Sequence, residues 1–181
     1  LVGSEMCIRD SSFNYDNIAL YQARWLSDMF GDKYYDDFVD ITNTFYHQSF
    51  SRKPEFMGWG YQWTTNKHGK ERNTDTDFSF ANYQEAESRL AAYERIGTKV
   101  GKILNELSPK QKAAFYQLLY YPVKGCELLN KMVLNGQKNR WYALQHRAAT
   151  NELKKEVKVY FDSLKMEACN DNTSGICCLL F

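Results

Sequence analysis

Glycosidic chemistry needs two carboxylates, one kept protonated by an apolar pocket and one ionised. The acidic side chains that invite this reading are Asp36, Asp37 and Asp40 on one helical stretch, and Asp75 and Asp77 in an irregular one. No apolar run surrounds any of them, so they are expected to be solvated. His47, His68 and His146 stand alone, with no HExxH and no Cys-His pairing, and read as surface or cap residues rather than metal ligands. There is no GxSxG elbow, and Gly58-Trp59-Gly60 is too short to cradle phosphate. Trp59, Tyr61 and Trp63 alternate and could stack on the apolar faces of sugars; they are the candidate substrate-binding residues. Two basic clusters remain, Arg52-Lys53-Pro54-Glu55 and Asn139-Arg140-Trp141-Tyr142 with Arg147 beyond it. Arg52 and Lys53 are placed to end a helix dipole, and Arg140 to pair with a carboxylate across a helical bundle. An arginine beside aromatics could equally hold a sugar carboxylate.

The elements that would position these residues are helical. Ile18, Tyr21, Trp25, Leu26 and Met29 share a face in a helix over about residues 15–30, closed by Gly31. Tyr34, Phe38, Ile41 and Phe45 form a packing stripe in a second over about 33–51, with Asp32 as its cap and Pro54 ending it. A long aromatic loop covers about residues 52–81. A third helix is expected from Asn82, boxed by Glu85, to about Leu107. Ser108-Pro109 with Gln111 opens a fourth that reaches about His146, carries Phe115, Leu118, Leu119, Leu129, Val133 and Ala143, and is kinked at Pro122. A fifth covers about residues 150–166 with Leu153, Val157, Phe161 and Leu164 on one face. The fold class is therefore all-α, a five-helix bundle.

With 23 basic against 22 acidic side chains, the balance of +1 offers nothing to nucleic acid or an acidic membrane. No apolar run approaches the roughly 20 residues that span a bilayer. The opening LVGSEMCIRD resembles a translated sequencing adapter, and the closing SGICCLLF has a similar look. Residues 1–12 and 169–181 are therefore expected to be non-native, leaving a bundle domain over 13–168. Cys7, Cys169, Cys177 and Cys178 then fall in or beside the ends, and only Cys126 lies inside a helix, as a small buried hydrophobe. Neither a disulfide framework nor a metal site is expected.

Three strings come in order: RKPE (Arg52 to Glu55), FYQLLYYPVKG (Phe115 to Gly125) and NRWYALQHRAATN (Asn139 to Asn151). Together they resemble the helical domain of glycoside hydrolase family 115, the xylan α-1,2-glucuronidases, over about Phe13 to Met166. The resemblance implies a domain that follows a catalytic (β/α)8 barrel and precedes a β-rich C-terminal domain. It implies inverting removal of glucuronic acid, or its 4-O-methyl form, from plant cell-wall xylan by a bacterial enzyme acting outside the cytoplasm. The catalytic carboxylates lie on the barrel, so no catalytic residue carries over to this chain, and the piece alone is expected to be inactive. Arg52, Lys53, Pro54, Glu55, Pro122, Asn139, Arg140, Tyr142 and Arg147 match motif positions of structural character. No cofactor is implied. The expected partners are the barrel and C-terminal domain of the parent chain, xylan through that parent, and a second copy in a homodimer. The other readings are a carbohydrate-binding module built on Trp59, Tyr61 and Trp63, and a helical protein-interaction module.

Overall fold

The computed structural model describes residues 18–57 and 75–169. All regular structure among them is helical, in five rods. α1 is Ile18–Phe30 and α2 is Tyr35–Ser51, with a 3-10 turn at Asp32–Tyr34 between them. α3 is Glu85–Glu106. α4 has three parts, an α-helix at Pro109–Phe115, a π segment at Tyr116–Tyr120 and an α-helix at Tyr121–Leu144. α5 is Thr150–Cys169. Among the described residues, no helix is long and apolar enough to cross a membrane. Residues 1–12 and 170–181 of the expected non-native ends, and the aromatic residues Trp59, Tyr61 and Trp63, lie outside the described residues, as does His68; Cys169, expected to begin the non-native tail, is the last residue of α5.

The chain divides into two compact units, Leu1–Asn43 and Thr44–Phe181, with the boundary inside α2. In the first, the Gly31 amide donates to Ser27 O and the backbone turns at φ 117°, a conformation that glycine reaches without a Cβ penalty. The N-cap position of the 3-10 turn is thus Gly31, not the expected Asp32. Ala23, Leu26 and Phe30 are buried on α1, and Phe38 meets both Phe30 and Tyr34 edge-on, at 6.4 and 6.0 Å. The stripe Ile18, Tyr21, Trp25 and Met29 is exposed; of the expected face only Leu26 is buried. A two-sided apolar helix cannot hide both faces, and spacing alone does not say which one is covered.

In the second unit, α4 packs against both α3 and α5. Tyr93, Ile96, Val100 and Ile103 of α3 are buried, with Phe115, Val123 and Leu134 of α4 and Leu164 of α5. Met57, Ala86 and Leu134 form a second apolar cluster, with Phe78, Phe80, Leu90 and Val133 against it. Lys53 is extended before Pro54, as the clash with a following proline requires, and α2 stops at Ser51.

The start of α3 differs from expectation. Gln84 occupies the N-cap position in the left-handed region, and Glu85 accepts from the Ser79 amide rather than from Asn82. Ser79 Oγ in turn accepts from the amides of Ala81 and Asn82. The serine of the preceding bend thus replaces Asn82 as the organising side chain. Ser108 and Pro109 do open α4, but Ser108 Oγ bonds the Gln111 side chain at 2.6 Å instead of a backbone amide.

Pro122 does not simply kink α4. Tyr116, Tyr120 and Tyr121 keep right-handed helical dihedrals, and the Tyr121 amide donates five residues back to Tyr116 O. A proline gives no N–H and crowds the preceding turn; a widened turn just before it relieves both effects. The burial pattern follows. Phe115, Leu119, Val123 and Glu127 are buried at spacings of four, i and i+4 neighbours along one face that runs through the widened turn.

α4 ends at Leu144, two residues short of expectation, in a Schellman turn. The His146 amide donates to Ala143 O and the Arg147 amide to Tyr142 O, with His146 left-handed at φ 55°. Ala143 and Leu118, expected on the packed face, are exposed.

Candidate functional site

Arg89 lies one helical turn beyond the start of α3 and is 2% exposed. Its Nε donates to Asn130 Oδ1 at 2.6 Å, Nη1 to Gln48 O and Ser51 Oγ at 2.8 and 2.9 Å, and Nη2 to Arg52 O at 2.8 Å. The carbonyls of Gln48 and Arg52 belong to the end of α2, where unpaired C=O groups gather negative partial charge. One side chain therefore closes α2 and ties it to α4. The Phe78 ring lies over the guanidinium at 4.8 Å and the Tyr93 ring at 5.3 Å. Burial draws the Arg89 guanidinium below its usual value, and the same burial pushes the Tyr93 hydroxyl and the neighbouring Cys126 thiol each up to about 12.

Beside this cluster is an open cavity of about 460 Å³. The end of α2 contributes Ser51 and Arg52, the strap before α3 contributes Asp77 and Phe78, and α3 contributes Glu85, Ser88 and Arg89. Arg52 donates from Nε and Nη2 to Phe56 O, at 3.2 and 2.8 Å, and its Nη1 stands 4.0 Å from Asp77 Oδ2. The helix-ending role expected of Arg52 and Lys53 is thus filled by Arg89; the Arg52 side chain instead fastens the 3-10 turn Pro54–Phe56. Pro54 is buried, while Lys53 and Glu55 are exposed.

The strap is pinned to α4. Gln137 accepts from the Thr76 amide and hydroxyl at 3.0 and 2.7 Å and returns a bond from Nε2 to Thr76 O at 2.9 Å. Arg140 holds Asp75 through Nε at 2.9 Å and through Nη2, the carboxylate pairing expected of it. Trp141 stacks on Phe80 at 6.1 Å, and Arg147 lies 4.5 Å over the Tyr142 ring. Asn139 is half-buried. The motif residues Arg140, Tyr142 and Arg147 therefore gather at the end of α4, Arg52 stands at the cavity, and Pro122 sits at the π segment.

A second polar cluster lies further along. Glu127 is 3% exposed and accepts from Lys124 at 2.7 Å and Lys131 at 2.8 Å; Lys131 also reaches Glu94 at 3.1 Å. Burial works against the Lys131 ammonium, but the bonds to Glu127 and Glu94 outweigh it and raise its value. Gly97 faces the Glu127 carboxyl so closely that a Cβ there would stand 2.9 Å from Cδ. Tyr116 and Tyr120 of the π segment both donate to Glu167 of α5, at 2.8 and 3.3 Å. Burial first, and the Glu167 carboxylate second, raise Tyr120.

Sequence reading passed over Arg89, Glu127 and Asn130. Their signal was available: each interrupts an apolar stripe at helical spacing, between Ala86 and Tyr93 or between Val123 and Leu134. The cavity that Arg89 and Arg52 share can bind and orient a polar ligand; its two carboxylates, Asp77 and Glu85, are not enclosed by an apolar pocket. No protein-family model matches the chain, and no curated protein matches it either.

Proposed function

We propose that this chain is a non-catalytic helical domain of a glycoside hydrolase resembling the xylan α-1,2-glucuronidases of family 115. Its work would be to support a separate catalytic barrel in removing glucuronic acid, or its 4-O-methyl form, from glucuronoxylan. The observation that carries the reading is the ordered set RKPE, FYQLLYYPVKG and NRWYALQHRAATN. The use of these residues agrees with a supporting role. Arg52 fastens a turn, Pro122 follows a widened one, Arg140 holds the strap, and the last string contains a helix end.

The source DNA upstream of the codon for Phe13 decides the matter. A barrel-encoding region in the same frame is expected; an in-frame start near Phe13 overturns the proposal. The chain by itself should release no glucuronic acid from glucuronoxylan, and release would refute the non-catalytic assignment.

A protein-interaction module is the second reading, favoured by the exposed α1 stripe of Ile18, Tyr21, Trp25 and Met29. Stacking of Trp59, Tyr61 and Trp63 on xylan is tested by affinity electrophoresis. Retardation abolished in the triple alanine variant would favour a binding module over a supporting domain.

A further inference from the structure

Among the described residues, three besides glycine have positive φ: Tyr83 at 55°, Gln84 at 52° and His146 at 55°. His146 closes a helix, where a left-handed residue is ordinary. Tyr83 and Gln84 stand side by side at the start of α3, and a side chain with a Cβ disfavours that conformation in each. Neither side chain holds it in place: Tyr83 is 92% exposed, and Gln84 makes no side-chain cap bond. The hold comes from the strap, residues 75–81. The Ser79 amide donates to Glu85 at 3.0 Å, and the Ser79 carbonyl accepts from the Ala86 amide at 3.2 Å. Its hydroxyl accepts from the amides of Ala81 and Asn82 at 3.1 and 2.9 Å. The strap also lines two cavities, the one of about 460 Å³ beside Arg89 and another of about 300 Å³ walled by Phe80, Trp141 and Leu144.

The same residues encode a second start for α3. With Asn82 as N-cap, its Oδ1 would accept from the Glu85 amide, and the Glu85 carboxylate from the Asn82 amide. Tyr83 and Gln84 would then wind right-handed, and the amides of Ala86 and Glu87 would donate to Asn82 O and Tyr83 O. As many bonds form within the helix as are lost to Ser79, and two left-handed residues are relieved. The Asn82 side chain is exposed and takes no part in the bonds that hold the strap.

We propose that the strap is a latch with a second resting state, in which α3 begins at Asn82 and the strap has left α4. Rewinding Tyr83 and Gln84 redirects the chain that enters α3, so the strap cannot keep its place. Phe78 then leaves the Arg89 guanidinium, and the larger cavity loses the wall made by Thr76, Asp77 and Phe78. The docked state prevails because Gln137 holds Thr76, Arg140 holds Asp75 and Trp141 stacks on Phe80, all in addition to the Ser79 bonds. The latch thus governs access to the buried guanidinium. The inference stands apart from the domain assignment and would survive its failure.

The test is hydrogen exchange of the whole chain, read by NMR at the Thr76 amide, which bonds Gln137 Oε1 only while the strap is docked. Its opening is expected well below global unfolding, as read at the Tyr93 amide within α3. Asn82→Ala removes a side chain that the released state needs and the docked state does not use. It should slow Thr76 exchange about five-fold, while Asn82→Asp, an equal cap, should keep the original rate. Ser79→Ala weakens the docked state alone and should speed exchange roughly three- to ten-fold. Exchange at Thr76 that is unchanged in Asn82→Ala, or that occurs only with global unfolding, overturns the proposal. Asn82 is exposed, so its arm stands even if Ser79→Ala disturbs the fold.

Discussion

Arg89 on α3 and Glu127 on α4 are both buried where these two helices meet, and they are stabilised in opposite ways. Arg89 is surrounded by neutral acceptors and two rings. Glu127 is clasped by two ammonium groups that themselves reach solvent, Lys124 at 29% exposure and Lys131 at 16%. A cation held by backbone carbonyls and neutral side chains depends on geometry, because none of its acceptors carries a charge that titrates. An anion held by lysines depends on flexible stems and on the charge at their tips. The first arrangement fixes where α2 ends; the second fixes how closely α3 and α4 approach.

The largest expected effect comes from breaking the first cluster. Arg89→Met withdraws the guanidinium from Arg52 O, Asn130 Oδ1 and Gln48 O, of which Gln48 O keeps the Arg52 amide and the Ser51 hydroxyl as donors, and should cost about 3–5 kcal/mol in urea unfolding. A loss below about 1 kcal/mol would show that water replaces the guanidinium there. Gly97→Ala attacks the second cluster by driving a methyl group into the Glu127 carboxyl, with an expected loss of about 1–3 kcal/mol. Because the conflict is between two named groups, Gly97→Ala with Glu127→Ala should be milder than the sum of the single changes. Simple additivity would remove the steric account.

The clusters also separate on the alkaline side. Cys126, against Arg89, is raised from 9.0 to about 12. Between those values the unfolded thiol loses its proton while the folded one keeps it. The folded chain then binds more protons, and stability falls by about 1.4 kcal/mol per pH unit. The stabilisation from Lys131, also raised, is present below its ordinary 10.5 and is lost only as pH climbs through the folded value. Cys126→Ala should therefore remove the decline that begins near pH 9 and leave the later ones, from Tyr93 above its usual 10.0 and from Lys131. The reading is the urea midpoint from pH 8 to 11, and an unchanged onset would detach the thiol from the cluster. The smallest effect is expected away from both. His146→Gly relieves a left-handed residue and should add about 0.5–1 kcal/mol while leaving the alkaline limb unaltered.

How much of this was readable from the residues depended on whether the cause was local. Ser108-Pro109 gave the start of α4 because a capping position and a fixed φ are properties of neighbours. The extended Lys53 before Pro54 followed for the same reason. Arg89 was not assigned because its partners lie 37 to 41 residues away, and a lone arginine in a stripe does not announce which carbonyls it will meet. The pairing of Arg140 was anticipated in kind, but the choice of Asp75 depends on how the strap crosses α4. Asn82 misled because Ser79, outside the expected helix, offers a better acceptor to the same turn.

The widened turn at Tyr116–Tyr120 has a consequence for length variation. Each α-helical residue advances the phase of everything after it by about 100°. A one-residue deletion in this segment would let it return to α-helical winding with the flanking phase nearly kept; rewinding it as α-helix with every residue retained would instead turn Tyr121–Leu144 relative to Pro109–Phe115. Glu127 would swing away from Gly97, and Asn130 away from Arg89. Single-residue insertions and deletions are ordinarily absorbed in loops. In this rod the expanded turn is itself a stored insertion, and the two polar clusters keep its count.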